Sequence, residues 1–545
     1  MKKKIIGLFV CMMLIATVIP VVTSVKNSVF NSTVPNTQQT SMAVNWTEMQ
    51  KLLASDGTTN DFFGISVSID GDTALIGAHN DSGKGAAYVF TRTGTIWTQQ
   101  ARLLASDGAA NDQFGYSVSL SGDTALIGAP TDDPVGSYSG SAYVFTRTGI
   151  TWTQQAKLYD WNGAAYDFFG FSVSLFDANN AIIGEPFHEV NGHIAAGAAY
   201  VFFRTGTTWN YDSLFASDGA ANDFFGYSVS LSGDTALIGA PNADNFKGWA
   251  YVFTRVGVFW EQQQKLTASI GAPNDQFGWS VSLSGETALI GAAGDDDNGD
   301  TSGAAYVFTR TGTTWVQQQK LTASDAAPEN LFGDSVSISG DTALIGAIEY
   351  DGFKGSAYVF SRTGATWAQQ AKLLVSDGAV GDQFGGSVSI SGDTALIGAP
   401  WDDDVGAKSG SAYVFTKSEN QPPETPIITG PSKGKINVAT DYNFTTSDPD
   451  DDDVYYFIDW GDGTNSSWIG SYPSGDVVTQ SHTWTKKGTY TIKAKAKDSN
   501  GAESDWKTLS VTMPYSYNLT FMQFMVKLLE RFPNVFPILR QLLTY

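Results

Sequence analysis

Cysteine is almost absent from this chain. The single one, Cys11, lies inside an apolar run near the amino end, so no internal disulfide can form and the domains must hold together by packing. Basic residues are also scarce. Lys and Arg number 32 against 55 Asp and Glu, a formal net charge of −23. A nucleic-acid binder needs a basic face to neutralise phosphate, and this balance argues against one. Histidine occurs four times, at His79, His188, His193 and His482. The run from His188 to His193 has the wrong spacing for the zinc-protease His-Glu-x-x-His pair. No Gly-x-Ser-x-Gly elbow, cysteine nucleophile or phosphate loop stands out. Between residues 44 and 417 no stretch of helical period interrupts the pattern.

What fills the chain instead is one motif in seven copies. The dipeptide Phe-Gly begins at Phe63, Phe114, Phe169, Phe225, Phe277, Phe332 and Phe384. A fixed period of this size signals a solenoid, a propeller or an array. The second copy shows the unit. Residues 116–120 alternate small polar with apolar side chains, and Ser121-Gly122-Asp123 is a turn. Residues 124–129 form a short apolar run, followed by a loop of variable length. Residues 142–145 come next, then a Thr-Arg-Thr-Gly turn, then the alternating stretch 152–158. Short β-rich runs separated by Gly and Asp turns predict four strands in hairpins. The gradient from Ser-rich through apolar to amphipathic matches a propeller blade running outward from the axis.

The ends of the array bear on closure. Residues 45–53 read as a fourth strand with no first, second or third strand before them. The seventh copy stops at Lys417 with no fourth strand after it. Pairing the orphan strand with the last blade would leave no open edge, which is a physical reason for a ring. The expectation is therefore an all-β chain: a seven-bladed β-propeller over 44–417, closed by an N-terminal strand. An immunoglobulin-like β-sandwich and a short helical tail follow.

Phe114-Gly115 with Gly128-Ala129-Pro130 resembles the FG-GAP repeat of integrin α-subunit heads and of many prokaryotic surface proteins. Phe225-Gly226 with Gly239-Ala240-Pro241, and Phe384-Gly385 with Gly398-Ala399-Pro400, are equally similar. For function the resemblance implies extracellular recognition or adhesion. Calcium-binding members carry an Asp-rich loop between the first and second strands. Here that connection is a tight turn with one acid, as at Asp123, Asp234, Glu286 and Asp341. One carboxylate cannot supply the six to eight oxygens that calcium prefers, so those sites are not carried over.

The flanking segments fit an exported protein. Met1-Lys-Lys-Lys4 followed by the apolar run 5–22 reads as a signal peptide over 1–24, or as an uncleaved anchor, with 25–43 as a linker. Residues 418–424 form a second linker. Residues 425–514 contain Trp460-Gly461-Asp462-Gly463, His482-Thr483-Trp484, Gly488-Thr489-Tyr490 and Asp498-Ser499-Asn500-Gly501. They resemble a PKD domain, an immunoglobulin-like sandwich of surface proteins. In the tail, 515–545, Leu519, Met522, Met525 or Val526, and Leu529 follow a helical period, with Asn518 as N-cap. The tail is too short and too charged to span a bilayer. It is read as touching a membrane, a surface partner or its own PKD domain, and it is similar to tails of exported archaeal proteins.

Chain direction places the fourth-to-first and second-to-third connections on one side of the ring, and that side collects acids. Ligand-face candidates are Asp132, Asp133, Glu185, His188, His193, Asp244, Asp295, Asp296, Asp297, Asp402, Asp403 and Asp404. Candidate cation ligands are Asp295, Asp297 and Asp300, and, in the second domain, Asp448 and Asp450; calcium is the cofactor they suggest. The opposite side carries Arg92, Arg147, Arg204, Arg255, Arg310 and Arg362, each expected to pair with the nearby turn acid. Asn31, Asn45, Asn443, Asn465 and Asn518 occupy glycosylation sequons. The expectation is a secreted or cell-surface protein that binds an extracellular protein or glycan through its loops and is not an enzyme. The rival readings are a propeller enzyme acting on glycans and a structural coat component. Copy three departs most from the repeat, at Trp161, Tyr166, Glu185, His188 and His193.

Overall fold

The computed structural model describes residues 44–348, 354–450, 452–513 and 519–531. The expected signal peptide and linker over 1–43, and the sequons at Asn31 and Asn518, lie outside these residues. Strand β1 (Val44–Leu52) comes first in the chain. The first complete blade is β2 (Ser66–Asp70), β3 (Thr73–Ala78), β4 (Ala86–Thr93) and β5 (Ile96–Leu103), hydrogen-bonded antiparallel in that order. Five further repeats form the same four-stranded sheet, and the seventh supplies three strands of its own. Every side chain of β3 is buried, because neighbouring sheets cover both its faces, whereas β2 alternates.

The Ser-x-Ser pattern of each first strand has a definite use. The first serine donates to the Phe-Gly glycine of the next blade: Ser66 to Gly115 O (2.9 Å), Ser117 to Gly170 O (2.9 Å), and so on to Ser387, which donates to Gly64 O (2.8 Å). The second serine accepts a backbone N–H from the next blade. Leu120 N donates to Ser68 at 3.0 Å, Leu175 N to Ser119 at 2.8 Å, and Ile69 N to Ser389 at 3.1 Å. Two belts of hydrogen bonds thus pass from blade to blade and return from the seventh to the first. The glycine is required where it stands. Gly115 has φ +92°, and a Cβ there would lie 2.2 Å from Ala86 O. The preceding Phe114 is buried against Tyr143 in an edge-to-face contact of 5.4 Å.

The outermost strand of the seventh sheet is β1. It pairs antiparallel with Ser411–Glu419, with Trp46 opposite Lys417 and Lys51 opposite Tyr413. A parallel bridge from Phe63 to Gly410 repeats the inter-blade latch seen at Gly85–Phe114 and Gly140–Phe169. The outer strands are laced as well. Trp152 Nε1 donates to Gln100 of the preceding blade at 2.9 Å, and Gln50 of β1 exchanges two bonds with the backbone of Trp97.

The second domain is a sandwich of a three-stranded and a four-stranded sheet. Its core holds Trp484, Tyr442, Phe444, Tyr456 and Ile492. His482 stacks on Trp460 at 4.6 Å and meets Asp462 at 2.8 Å, a structural role. Asparagine side chains join the two domains. Asn45 donates to Asp452 (2.9 Å), Asn420 to Asp498 (2.7 Å), and Asn500 to Asn45 (2.9 Å). In the tail, Leu519–Arg531 is helical as the periodicity predicts, with Phe524 and Val526 exposed. Among the described residues no helix is long and apolar enough to cross a membrane.

Candidate functional site

The acids expected to form one acidic face do lie in its loops, but most are already engaged. In each blade the tyrosine of the third strand is buried and aims its hydroxyl at a loop carboxylate. In six of the seven blades the fourth strand supplies a cation in register opposite that tyrosine. In blade two, Tyr143 donates to Asp107 (3.1 Å) and Asp132 (3.0 Å), and Lys157 bridges the same two carboxylates at 2.6 Å each. Arg102 does this for Asp56 and Asp81 in blade one, Lys265 for Asp218 in blade four, and Lys372 for Asp325 in blade six. In blade seven the cation is Lys51, delivered by β1, which holds Asp377 and Asp402 at 2.8 Å and also Asp404. Burial favours the neutral form of the Asp402 carboxyl, but the Lys51 ammonium together with bonds from Asp404 N–H and the Ser411 hydroxyl outweighs it and holds the pKa below the usual range.

The expected cation site at Asp295, Asp297 and Asp300 does not assemble. The Lys320 ammonium sits between Asp295 (2.7 Å) and Asp297 (2.6 Å), where an ion would have to be, and Asp300 is exposed and offers its backbone carbonyl to Glu329. A neutralising lysine from the neighbouring strand makes a second cation there repulsive. Asp133, Asp296 and Asp403 are exposed and accept backbone N–H groups from Tyr138, Thr301 and Lys408 within their own loops. Asp244 is exposed in a left-handed backbone conformation, φ +53°. His193 is exposed and faces Gly219 O at 3.1 Å. The repeated aspartates cap their own turns, as Asp112 does for Ala109 N at 2.6 Å. Sequence reasoning missed the cations of the fourth strands, because an alternating Gln-Lys strand at the rim reads as a wet edge.

On the opposite side, four of the six expected pairs between an arginine and a turn acid form. Arg92 meets Asp72 at 2.6 Å, Arg147 meets Asp123 at 2.6 Å, and Arg362 meets Asp341 at 2.5 Å. Arg310 pairs with Glu286, and Arg204 donates to Asn179 at 3.0 Å. Arg255 donates its backbone N–H to Asp234 O at 2.9 Å.

Blade three is built differently. Ser213 replaces the lysine opposite Tyr200. Asp160, Glu185 and His188 come together with one ligand atom each within 4.8 Å of the others. In the sandwich, Asp448, Asp450 and Asp452 do the same, and Asp448 Oδ2 is buried without a hydrogen-bond partner. Asp448 and Asp450 are thus brought together as expected, with Asp452 as an added member. Burial pushes the Asp448 carboxyl upward. Of the described sequons, Asn443 and Asn465 are exposed, whereas the Asn45 amide is engaged with Asp452.

At the axis, the residue after each Phe-Gly lines the centre. Tyr116, Phe171, Tyr227 and Trp279 follow one another at ring separations of 4.8–5.1 Å. Trp279 Nε1 then donates to Asp334 at 3.0 Å. Loss of solvation pushes the Asp334 carboxyl up to about 7. The loop face also carries exposed aromatics from blades two and three. Trp161 is 69% exposed beside Tyr159, and Tyr166 is 45% exposed, 5.6 Å from Tyr138.

The FG-GAP repeat family matches this chain seven times, over 46–90, 97–145, 152–202, 210–253, 260–308, 315–360 and 367–415. The PKD domain matches residues 428–511. No curated protein matches the chain. Among solved structures, it is similar to the PKD domain of an M14-like peptidase from a Thermoplasmatales archaeon, at 53% identity over 18% of this chain and 99% of that one, with a TM-score of 0.18. It is also similar to the CARDB domain of a Pyrococcus furiosus protein, in a solution structure (20% identity, 16% of this chain, 92% of that one, TM-score 0.14) and in a crystal structure with di-metal ions (19%, 18% and 97%, TM-score 0.15). FG-GAP repeats and PKD domains are typical of extracellular, adhesion-type or surface proteins. Seven successive repeat matches on seven successive blades place the chain in the FG-GAP repeat family, with a PKD domain after the propeller.

Proposed function

We propose that this is an exported surface protein that binds an extracellular protein or glycan with the loop face of its propeller, and that it acts by binding, not catalysis. The observation that carries the reading is the contrast within that face. The tyrosine–carboxylate–cation clamps repeat and fix the loop bases, while the loop tips differ from blade to blade. In blades two and three those tips expose Tyr138, Trp161 and Tyr166. Large aromatic side chains that a monomer leaves in water are what a partner surface or a sugar ring covers. Most of the acids that sequence alone offers for chemistry on this face are engaged by clamps or turn caps, which supports a recognition role for it. The PKD domain serves as the spacer that holds the ring out from its attachment.

The test is a glycan and surface-protein binding screen with the full chain and with a W161A/Y166A double variant. Both side chains are exposed, so the variant should melt as the parent does and lose binding at least tenfold. Unchanged binding by the variant, or turnover of a glycan by the parent, overturns the proposal.

A further inference from the structure

Blade three keeps the buried tyrosine of the clamp and rewrites everything around it. In the other six blades, the residue in register with that tyrosine on the fourth strand is a lysine or arginine: Arg102, Lys157, Lys265, Lys320, Lys372 and Lys51. In blade three it is Ser213, opposite Tyr200. The long cation that neutralises the loop carboxylates elsewhere is missing. The carboxylates are not missing. Tyr200 donates to Glu185 Oε2 at 2.6 Å and to Asp160 Oδ2 at 3.1 Å.

Glu185 is the decisive departure. It ends the second strand of its blade, where the other repeats have alanine, as at Ala78, Ala129 and Ala240. It is fully buried, and its Oε1 has no hydrogen-bond partner. A buried carboxylate oxygen left unpaired is expensive, so something must meet it. His188 stands at the loop position that Asp132 holds in blade two. Its Nδ1 lies 3.2 Å from Glu185 Oε2 and 3.1 Å from Asp167 Oδ2. That leaves Glu185 Oε1 still unsatisfied.

We propose that Asp160, Glu185 and His188 form a binding site for a divalent transition metal of the zinc class, which takes the place that a lysine ammonium fills in the other blades. The chemistry of the donors selects the ion. Two carboxylates and an imidazole suit zinc, whereas calcium takes oxygen alone. Bonds of about 2.1 Å let two donors on one ion lie up to about 4.2 Å apart. The three ligand atoms already lie within 4.8 Å of one another, so a small contraction completes the set. The outer shell is also present. Tyr200 and Tyr211 orient Asp160 through their hydroxyls (3.1 and 3.3 Å). The ion would bind the base of the loop over 186–197 to the preceding loop at Asp160, as Lys157 binds Asp107 to Asp132 in blade two.

The experiment is calorimetric titration of the full, untagged, chelator-treated chain with Zn2+, repeated with Co2+ while visible absorption is recorded. The expected result is one zinc equivalent tied to this site, a cobalt ligand-field band, and a higher melting temperature with zinc. E185A restores the residue of the other blades and so keeps the fold; it and H188A should each lose that equivalent. H193A should keep it, and D448N, in the other domain, should keep it too. Absence of stoichiometric zinc uptake by the parent overturns the proposal. So does uptake that E185A and H188A leave unchanged.

Discussion

Lys157 shows what a single residue does in this ring. Among the described residues it is the only cation that pairs with Asp107 and buried Asp132, and its ammonium lies 5.2 Å from the centroid of the Tyr143 ring. Replacing it with methionine keeps the stem and leaves two carboxylates close together without a counter-ion. K157M is expected to destabilise the propeller by about 2 kcal/mol, less than for a fully buried pair because water still reaches the site. Urea unfolding would read this, and an unchanged midpoint would show that the clamp is only decorative. Asp334 behaves in the opposite sense. Its folded-state pKa is raised to about 7, so the folded protein holds a proton that the unfolded chain releases near pH 4. Stability from this group is therefore full below about pH 4 and is lost as pH rises towards 7. D334N keeps an acceptor for Trp279 and cannot ionise. It is expected to melt higher than the parent at pH 7.5 and to show no such gain at pH 4; equal differences at both values would refute the assignment. Neither residue's role was legible in the sequence. Lys157 sits in a strand whose Gln and Lys look solvent-facing, and the position after Phe-Gly changes identity from copy to copy, which hides the shared place of Tyr116, Phe171, Tyr227 and Asp334.

At the scale of elements, the sequence revealed most where a pattern recurs. A tight turn like Ser121-Gly122-Asp123, a buried run like Thr124–Ala129 and a Ser-rich first strand recur from copy to copy, so one physical reading explains seven sheets. The orphan segment was legible for the same reason: β1 carries the Trp, Gln and Lys of a fourth strand. Its Gln50, Lys51 and Leu52 take the roles those residue types have in the other blades. Removing residues 44–52 would expose the edge of Ser411–Glu419 and leave Asp402 and Asp377 without their lysine. That truncation is expected to lower the melting temperature by several degrees and to promote association, read by scanning calorimetry and light scattering. A truncated chain that melts unchanged as a monomer would contradict this. The acid loop of the sandwich was legible as acids only. What the sequence did not reveal is that Asp448 Oδ2 would be enclosed with no donor, while Asp450 and Asp452 turn towards it. All-oxygen donors of this kind suit calcium. Millimolar calcium is expected to raise the melting temperature of the parent and to leave D448N unaffected, whereas equal melting in calcium and in chelator would remove a cation from this loop.

Over the whole molecule, one small polar hub decides whether the chain moves as two bodies or one. Asn45 belongs to β1, Asn420 follows the last strand of the ring, and Asn500 belongs to the sandwich; Asn500 reaches Asn45, Asn420 and Asp452 at 2.8–2.9 Å. Gln421 N donates to Asp450 at 2.6 Å, which ties the linker to the acid loop as well. The strand that completes the seventh sheet therefore also supplies a contact to the next domain. Polar contacts this few do not resemble a large apolar interface, and relative motion is the default for domains joined in such a way. The double variant N45A/N420A removes amides from two corners of the hub and leaves both cores untouched. It is expected to increase the radius of gyration in small-angle scattering and to speed proteolysis within 418–424, with the melting of each domain unchanged. If scattering and cleavage match the parent, the linker alone sets the angle between ring and sandwich, and the asparagines contribute nothing to presenting the loop face. The same hub bears on glycosylation, because a glycan on Asn45 would displace its bond to Asp452. An exported chain that carries sugar at Asn443 or Asn465 but not at Asn45 would agree with the hub being closed in the folded protein.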